Sequence, residues 1–473
     1  MDFAAIVLFL VIYYIRPQEW IPIFAKLSPV KITMLFALFS TYTRNKGLSP
    51  KDFLQTPHDW LMAAYFAWAI WSGDSLQGSI LIFTKYIIFY YITVQVLSDM
   101  DRIKALLNWW TVMILVLAAL AVSSLYFWDP MGSKELTEGI YKGRLVLSTS
   151  IFNNPNALGH AVVPVLPMIY YLFLWKRPVF IKELALLMMI FPIWCMYETL
   201  SKGAYLSGGV TMLAAMMFGR PKTVQIGLVV FALTFGGSII SALPRMNELN
   251  RSEGGIQGRI AAWTWGLQKI EEEPDGIGWK NFVGAFRADN GYGKAAHSSY
   301  IQTATELGKN GLFCFVGILY CCMRTLVTVK TINNDEERMR RLLFCLVSSF
   351  ALSSWVIDFG ARSTLFIIPA AVAAFHRQIM KRWERESKAA LGELATLNAG
   401  APEFNEQQLQ RQPFDRRKEA LKRKVITDEL DAAAHALPPI SWNKLGVIDI
   451  VLMWVCYKAT IKVWIYVVGD ASF

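Results

Sequence analysis

Residues 104–127 read KALLNWWTVMILVLAALAVSSLYF: one charge at the first position, then no other to the end of the run. At about 1.5 Å of rise per residue, a helix over this stretch crosses the ~30 Å hydrocarbon core of a bilayer. Runs of the same kind recur along the chain. We mark spans at 3–15, 22–42, 59–72, 76–97, 104–127, 156–175, 180–198, 203–219, 223–242, 298–322, 342–358 and 363–376. Pro22 and Pro29 make the second span bent or partly interfacial. The whole composition agrees. Of 473 residues, 54% are hydrophobic and 18% charged, with mean hydropathy +0.35. Soluble chains carry about 25% charged residues. A soluble enzyme, a disordered scaffold and a fibrous repeat are excluded. The expected fold is all-α, a polytopic bundle of about twelve transmembrane helices.

Charge sets the expected orientation. The short loops at 43–52, 98–104, 176–182, 219–222 and 323–341 carry about fifteen Lys and Arg, against about five in the alternate short loops. Met1 and the tail after His376 are therefore expected in the cytoplasm. The long loops 128–155 and 243–297 are then expected outside, the second as a large periplasmic loop. The N-terminus has no basic start and no small-residue cleavage site, so the first run is expected to stay as span one. The net charge of +11 fits this bias and anionic lipid, with no call for nucleic acid. Six cysteines all lie in apolar segments without CxxC spacing and read as packing residues.

Residues 1–376 thus form the transmembrane domain. Residues 377–444 read as a cytosolic tail, rich in Lys, Arg, Glu, Gln and Ala, that could dock cytosolic partners. The last apolar run, 446–468, carries Lys458 and Lys462 on one helical face. Two mid-run charges are expensive at a bilayer centre, so an interfacial helix is favoured there over a further span.

Few residues could carry chemistry. His160 and His297 are the histidines on the outer side of this topology, and a neutral imidazole is a well-tuned general base. Gly258-Arg259-Ile-Ala-Ala-Trp263-Thr-Trp265 reads as a helix near the membrane surface, with Arg251 upstream in a flexible stretch. An arginine fork suits a phosphate, although snorkelling to lipid headgroups explains the same spacing. Ser201-Lys202-Gly203-Ala204 opens a span, so a lysine and a positive helix end coincide. Asn153-Asn154-Pro155-Asn156, four residues before His160, suits helix capping and also hydrogen bonding to sugar hydroxyls. Glu306 is a carboxylate deep in a span, nine residues from His297, so a straight helix would hold the two apart. Either the helix breaks near Gly308 or Glu306 is structural. Asp99-Met-Asp101 could hold a metal, but capping explains it more simply. No other cluster has metal-ligand spacing, and no metal or cofactor is expected.

In order, the chain shows Asn-Pro-Asn-Ala-Leu-Gly at 154–159 and Ser-Lys-Gly-Ala at 201–204. Gly258-Arg259-x-x-x-Trp263 and Gly276-Ile-Gly278 follow, then His297-Ser-x-Tyr300 and Glu306-x-Gly308-x-x-Gly311. The ordered set, over about residues 1–380, resembles the O-antigen ligase and O-antigen polymerase family of bacterial membrane glycosyltransferases. The resemblance implies a glycan donor on undecaprenyl diphosphate, used at the periplasmic face of the inner membrane without metal. It implies that His297 is the essential histidine and that Arg259 holds the donor diphosphate. Lys202 stands where relatives usually carry Arg, which keeps charge and loses the fork. Arg251, Asn156, His160, Tyr300 and Glu306 are further substrate-binding candidates. The acceptor is left open between a lipid or glycan hydroxyl and a protein Ser or Thr; a lipid-linked glycan transporter is the alternative from another class.

Overall fold

The computed structural model describes residues 1–26, 28–45, 53–73, 75–246, 254–358, 364–399, 424–432, 438–440, 442 and 444–469. Arg251 and His435 lie outside the described residues. Helices make up the structure, with no strand among the described residues. Seven of them are long and apolar enough to cross a membrane by length and composition; the other expected spans are shorter or less apolar helices.

Local chemistry sets the helix starts. Thr56 and Asp59 form a reciprocal capping box around Pro57, Asn154 caps the turn that Pro155 opens, and Ser201, Ser298 and Asn333 cap three further helices. Asp99 accepts the Arg102 N–H at 2.8 Å, the capping reading of the Asp-x-Asp stretch. Proline explains where the expected spans fragment. The run 22–42 divides into Pro22–Phe24 and Pro29–Asn45, each opened by its proline, with the short helix Pro17–Trp20 before them. The run 156–175 divides into Pro155–Val162, Val165–Ile169 and a π turn at Tyr170–Leu174, with Pro164 and Pro167 at the breaks.

Ser299–Thr328 runs through the middle of the bundle, packed by Pro57–Trp71, Gly254–Glu272, Asn334–Ser353 and Val447–Val468. Lys222–Ser241 has no buried residue and leans on Lys202–Met217 at the edge. Thr364–Ala399 continues without a break past residue 376, so composition alone marks the expected tail boundary. The first tail residues dock back on the bundle: Arg377 pairs with Asp59 at 2.8 Å, and Gln378 donates to the Leu97 carbonyl.

The last helix, favoured in the sequence as interfacial, is also long and apolar enough to cross a membrane by length and composition. Val447–Val468 lies antiparallel along Ser299–Thr328: Asp449 pairs with Arg324, Met453 packs on Gly317, and Tyr457 meets Phe313. Near its far end, Trp464 reaches Trp263 and Trp355. Lys458 lies over the rings of Trp454 and Tyr457 of its own helix, at 5.6 Å and 5.8 Å.

Candidate functional site

Three chain turns meet at one end of the bundle. The first is Thr199–Lys202, where Leu200 takes a left-handed φ of 49° and Ser201 caps the next helix. The second is Ala296–Ser299, where His297 takes φ 50°. The third is Ser353–Asp358. Side chains with a Cβ rarely adopt such φ values, and they concentrate at functional sites. The second and third turns are pinned together: Ser299 N–H donates to Ser354 O at 2.8 Å and Ser299 Oγ to Ile357 O at 3.0 Å.

Glycine lets the first turn close on the third. A Cβ on Gly203 would sit 2.9 Å from His160 Nε2 and 3.1 Å from Val356 Cγ2. The Val356 carbonyl in turn accepts from Arg259 Nη1 at 3.2 Å. Arg259 is close enough to His297 to act on its ionisation. The contacts therefore run His160, Gly203, Val356 and Arg259 across nearly two hundred residues of sequence, with His297 within electrostatic reach of Arg259. His160 is buried, and its Nδ1 hydrogen-bonds Ser353 Oγ at 2.9 Å. Asn156 Oδ1 accepts from Ser201 Oγ at 2.9 Å and from Arg144 Nη2 at 3.0 Å. Asn156 thus ties the Asn-Pro-Asn stretch to the start of the Lys202 helix.

Electrostatics follow from this crowding. Burial first, then the positive charges of Arg259 and Lys294, push the His297 pKa down to about 4. His297 is neutral at pH 7 with both ring nitrogens available to act as donor and acceptor. Lys294 lies against Gly258, where a Cβ would meet its Nζ at 2.7 Å. Arg144 also donates through Nε to Thr199 O at 3.2 Å, and Arg245 points Nη1 at Leu200 O. Lys202 opens its helix half-exposed, at the positive end of the helix dipole.

Glu306 and Tyr300 stand apart. The helix does break at Gly308 (φ 67°, ψ −169°), and the loop of the Gly-Ile-Gly stretch fills the break. Ile277 and Gly278 N–H donate to the Thr305 and Glu306 carbonyls at 3.0 Å each, and Lys309 N–H to Pro274 O at 2.8 Å. Gly276 and Gly308 both have positive φ, and a Cβ on either would strike the other segment's backbone, at 2.4 Å and 2.1 Å. The Glu306 carboxylate accepts the Phe282 N–H at 3.3 Å and Gln302 Nε2 at 3.1 Å. Both sequence alternatives hold: the helix breaks, and Glu306 fastens the outer loop. Tyr300 is buried against Phe315 and Trp355 and donates its hydroxyl to Ala351 O at 3.1 Å.

Residues 184–316 match the family model described as O-antigen ligase. That stretch, 133 of the chain's 473 residues, is similar to an O-antigen ligase domain. It contains Lys202, Arg259, His297 and Glu306, while Asn156, His160 and the last helix lie outside the matched stretch. Its family supports a role in O-antigen ligation or polymerisation and so in surface polysaccharide synthesis. No curated protein matches the chain. Among the described residues, no three His, Cys, Asp or Glu side chains form a group that could hold a metal.

Three contributors to this candidate site were not singled out in the sequence. Arg144 and Lys294 had a usable signal, being outer-loop cations ten and three residues from the Asn-Pro-Asn stretch and His297. The Val356 carbonyl had none, because a backbone acceptor exists only once the turn is folded.

Proposed function

We propose that the chain is a glycosyltransferase that moves a glycan from undecaprenyl diphosphate to an acceptor hydroxyl at the outer face of the bacterial inner membrane. The observation that carries this is the single contact path from the Lys202 helix start through Val356 to Arg259, with His297 within electrostatic reach of Arg259. Departure of a diphosphate needs positive groups fixed in advance where negative charge grows. Arg259 and Lys202 would serve there, together with the N–H groups of the Ser201-capped helix. Because the leaving charge falls to these fixed groups, we read the transfer as metal-independent.

The other partner is the acceptor. His297, neutral amid cations, would take the hydroxyl proton as the new glycosidic bond forms. Donor binding would prime it: the diphosphate offsets the charge of Arg259 and Lys294 and raises the His297 pKa toward neutrality. An apolar groove lined by Leu166, Met189, Met196, Tyr205, Gly208 and Met212 opens beside the Lys202 helix and suits a polyprenyl chain. Arg44, Arg102, Arg324, Arg341 and Arg377 gather at the opposite end of the bundle, which supports that end as cytoplasmic. A transporter would place broken helices around a midplane site; here the break at Gly308 is filled by the chain's own loop. Ligase, polymerase and protein O-oligosaccharyltransferase activities share this chemistry and differ in the acceptor.

The test is transfer from a defined undecaprenyl-diphosphate glycan by the protein in nanodiscs, with donor binding measured in parallel. Arg259→Ala should weaken donor binding, since the diphosphate is charged before reaction. His297→Ala should bind donor and fail to transfer. Retention of full transfer by both variants would overturn the reading, and loss of donor binding in His297→Ala alone would reverse the two roles. Transfer should persist in excess chelator; activity lost to EDTA and restored by Mg²⁺ would defeat the metal-free step. Impermeant thiol labelling of introduced cysteines in spheroplasts should reach residue 270 and spare residue 400.

A further inference from the structure

We infer that the C-terminal helix Val447–Val468 is a working part of the site, with Trp464 as a positioning residue for Arg259 and His297. This rests on the reading of the site given above. The helix lies outside the stretch that matches the O-antigen ligase family and follows the long tail, so neither its sequence nor the match assigns it a role.

Three observations carry the inference. Trp464 is buried between two other indoles, stacked on Trp355 at 4.7 Å and 28°, and edge-on to Trp263 at 4.6 Å and 66°. Each neighbour is one step from the chemistry. Trp355 precedes Val356, whose carbonyl holds Arg259 at 3.2 Å. Trp263 lies one helical turn beyond Arg259 and donates Nε1 to Ala296 O at 2.7 Å, directly before His297. One side chain therefore fixes the spacing between the turn that holds Arg259, the helix that carries it, and the left-handed turn at His297.

The helix is also held along its length. At the other end, buried Asp449 pairs with Arg324 and accepts from Trp442 Nε1 at 3.0 Å, Tyr320 at 2.9 Å and Gly446 N–H at 2.8 Å. Arg324 also lies over the Trp442 ring at 4.6 Å. Midway, Met453 fills the space that glycine leaves at Gly317, where a Cβ would sit 2.4 Å from Met453 Cε. An anchored rod of this kind transmits position, and a misplacement of about 1 Å in a reacting group costs on the order of 10²-fold in rate.

The indole N–H of Trp464 has no hydrogen-bond partner among the described residues. What matters in Trp464 is then its aromatic plane, which makes the proposal separable from simple packing. Trp464→Phe should keep donor affinity and turnover within about threefold, because a ring still stacks between Trp355 and Trp263. Trp464→Leu, which fills space without a plane, should lower turnover about 10- to 100-fold. It should remain folded, as judged by monodispersity and thermal unfolding in detergent. Gly317→Leu should displace the helix from its middle and give the same loss without touching the site. Leu and Phe variants of equal activity would overturn the proposal, as would a fully active Gly317→Leu. Should Trp464→Leu fail to fold, the Phe variant and Gly317→Leu decide. If His297→Ala keeps transfer, the reading of the site fails; if His297→Ala is inactive while Trp464→Leu is fully active, this inference alone fails.

Discussion

The two ends of the bundle use the same residue types for opposite purposes. At the end away from the site, arginines meet carboxylates: Arg44 and Arg102 on Asp2, Arg377 on Asp59, Arg324 on Asp449, Arg340 and Arg341 on Glu337. The histidines there are sealed in. His58 and His376 lie 5.5 Å apart between ring centroids, both against Trp442, and both reach Thr325 Oγ1. At the site end the described hydrogen bonds of the cations run to neutral groups as well: Arg259 to the Val356 carbonyl, Arg144 to the Thr199 carbonyl and Asn156. A carboxylate partner cancels a positive field, whereas a carbonyl only aims it. In the proposed site the carbonyl-held cations are the ones aimed at an anionic ligand, whereas the other end converts its charge into fixed geometry.

The comparison breaks most visibly at histidine. Losing a positioned general base costs about 10²–10⁴ in rate. His297→Ala should lose turnover by that factor with donor affinity retained. His58→Ala should keep turnover per folded molecule and lower the unfolding temperature, since Thr325 Oγ1 and the Cys321 carbonyl each give up a buried contact. Single-turnover transfer paired with thermal unfolding separates the two. A His58 variant with normal stability and no turnover would erase the distinction between the ends.

Arginine gives the next contrast. Asp59 and Arg377 are buried at 0% and 5% side-chain exposure, and Asp59 also accepts from Thr56 and Tyr90. Removing one partner of a buried pair costs about 3–5 kcal/mol because the other charge is stranded. Arg377→Ala should therefore destabilise the protein by about that much and leave donor affinity of the folded fraction unchanged. Arg259→Ala should do the reverse, and Arg259→Lys should restore only part of the affinity because the fork is lost. Unfolding midpoints and donor titrations read both.

The spans were legible because a run such as 104–127 admits one solution in a bilayer, and the helix found there is Met100–Tyr126. Individual motifs were legible too, but their association was not. Sequence spacing placed Glu306 half a turn away from His297 and left its role open; only the loop filling the break at Gly308 shows what that carboxylate holds. For residues 446–468 the sequence did not show that the run would pack along Ser299–Thr328. Asn156 and His160 were singled out as sugar contacts, and their described hydrogen bonds run to protein groups, Ser201, Arg144 and Ser353, which makes them organisers of the turn.

Acidity sharpens the comparison further. The competent form of His297 is neutral, and in the free protein it persists down to about pH 4. The kcat/KM for donor, which reports the free enzyme, should stay flat from neutrality to about pH 5 and fall below it. In kcat, which reports the donor complex, the acid limb should lie higher, because the bound diphosphate favours the imidazolium. Arg259→Ala removes a positive neighbour, so it should raise the kcat/KM limb by about one pH unit. A limb near the ordinary histidine value that ignores Arg259→Ala would mean that the two groups do not share a site.

The smallest effect is expected at Lys202. Its contribution comes from a charge at a helix start, beside N–H groups that point the same way and a glycine that lets His160 and Val356 approach. Lys202→Arg keeps the charge at a half-exposed position. Donor affinity should stay within about threefold of the parent, or improve slightly through bidentate contact with a phosphate. Lys202→Ala should weaken donor binding by less than Arg259→Ala, because the helix end and the other cations remain. Gly203→Ala should cost more than Lys202→Arg although it removes no charge. Its added methyl would press on His160 Nε2 and Val356 Cγ2 and push apart the two turns that hold Arg259 and Lys202 together. Titrating donor into the three variants orders these effects. Were Gly203→Ala neutral while Lys202→Arg lost all binding, the site would depend on the identity of the lysine and not on the closeness of the turns.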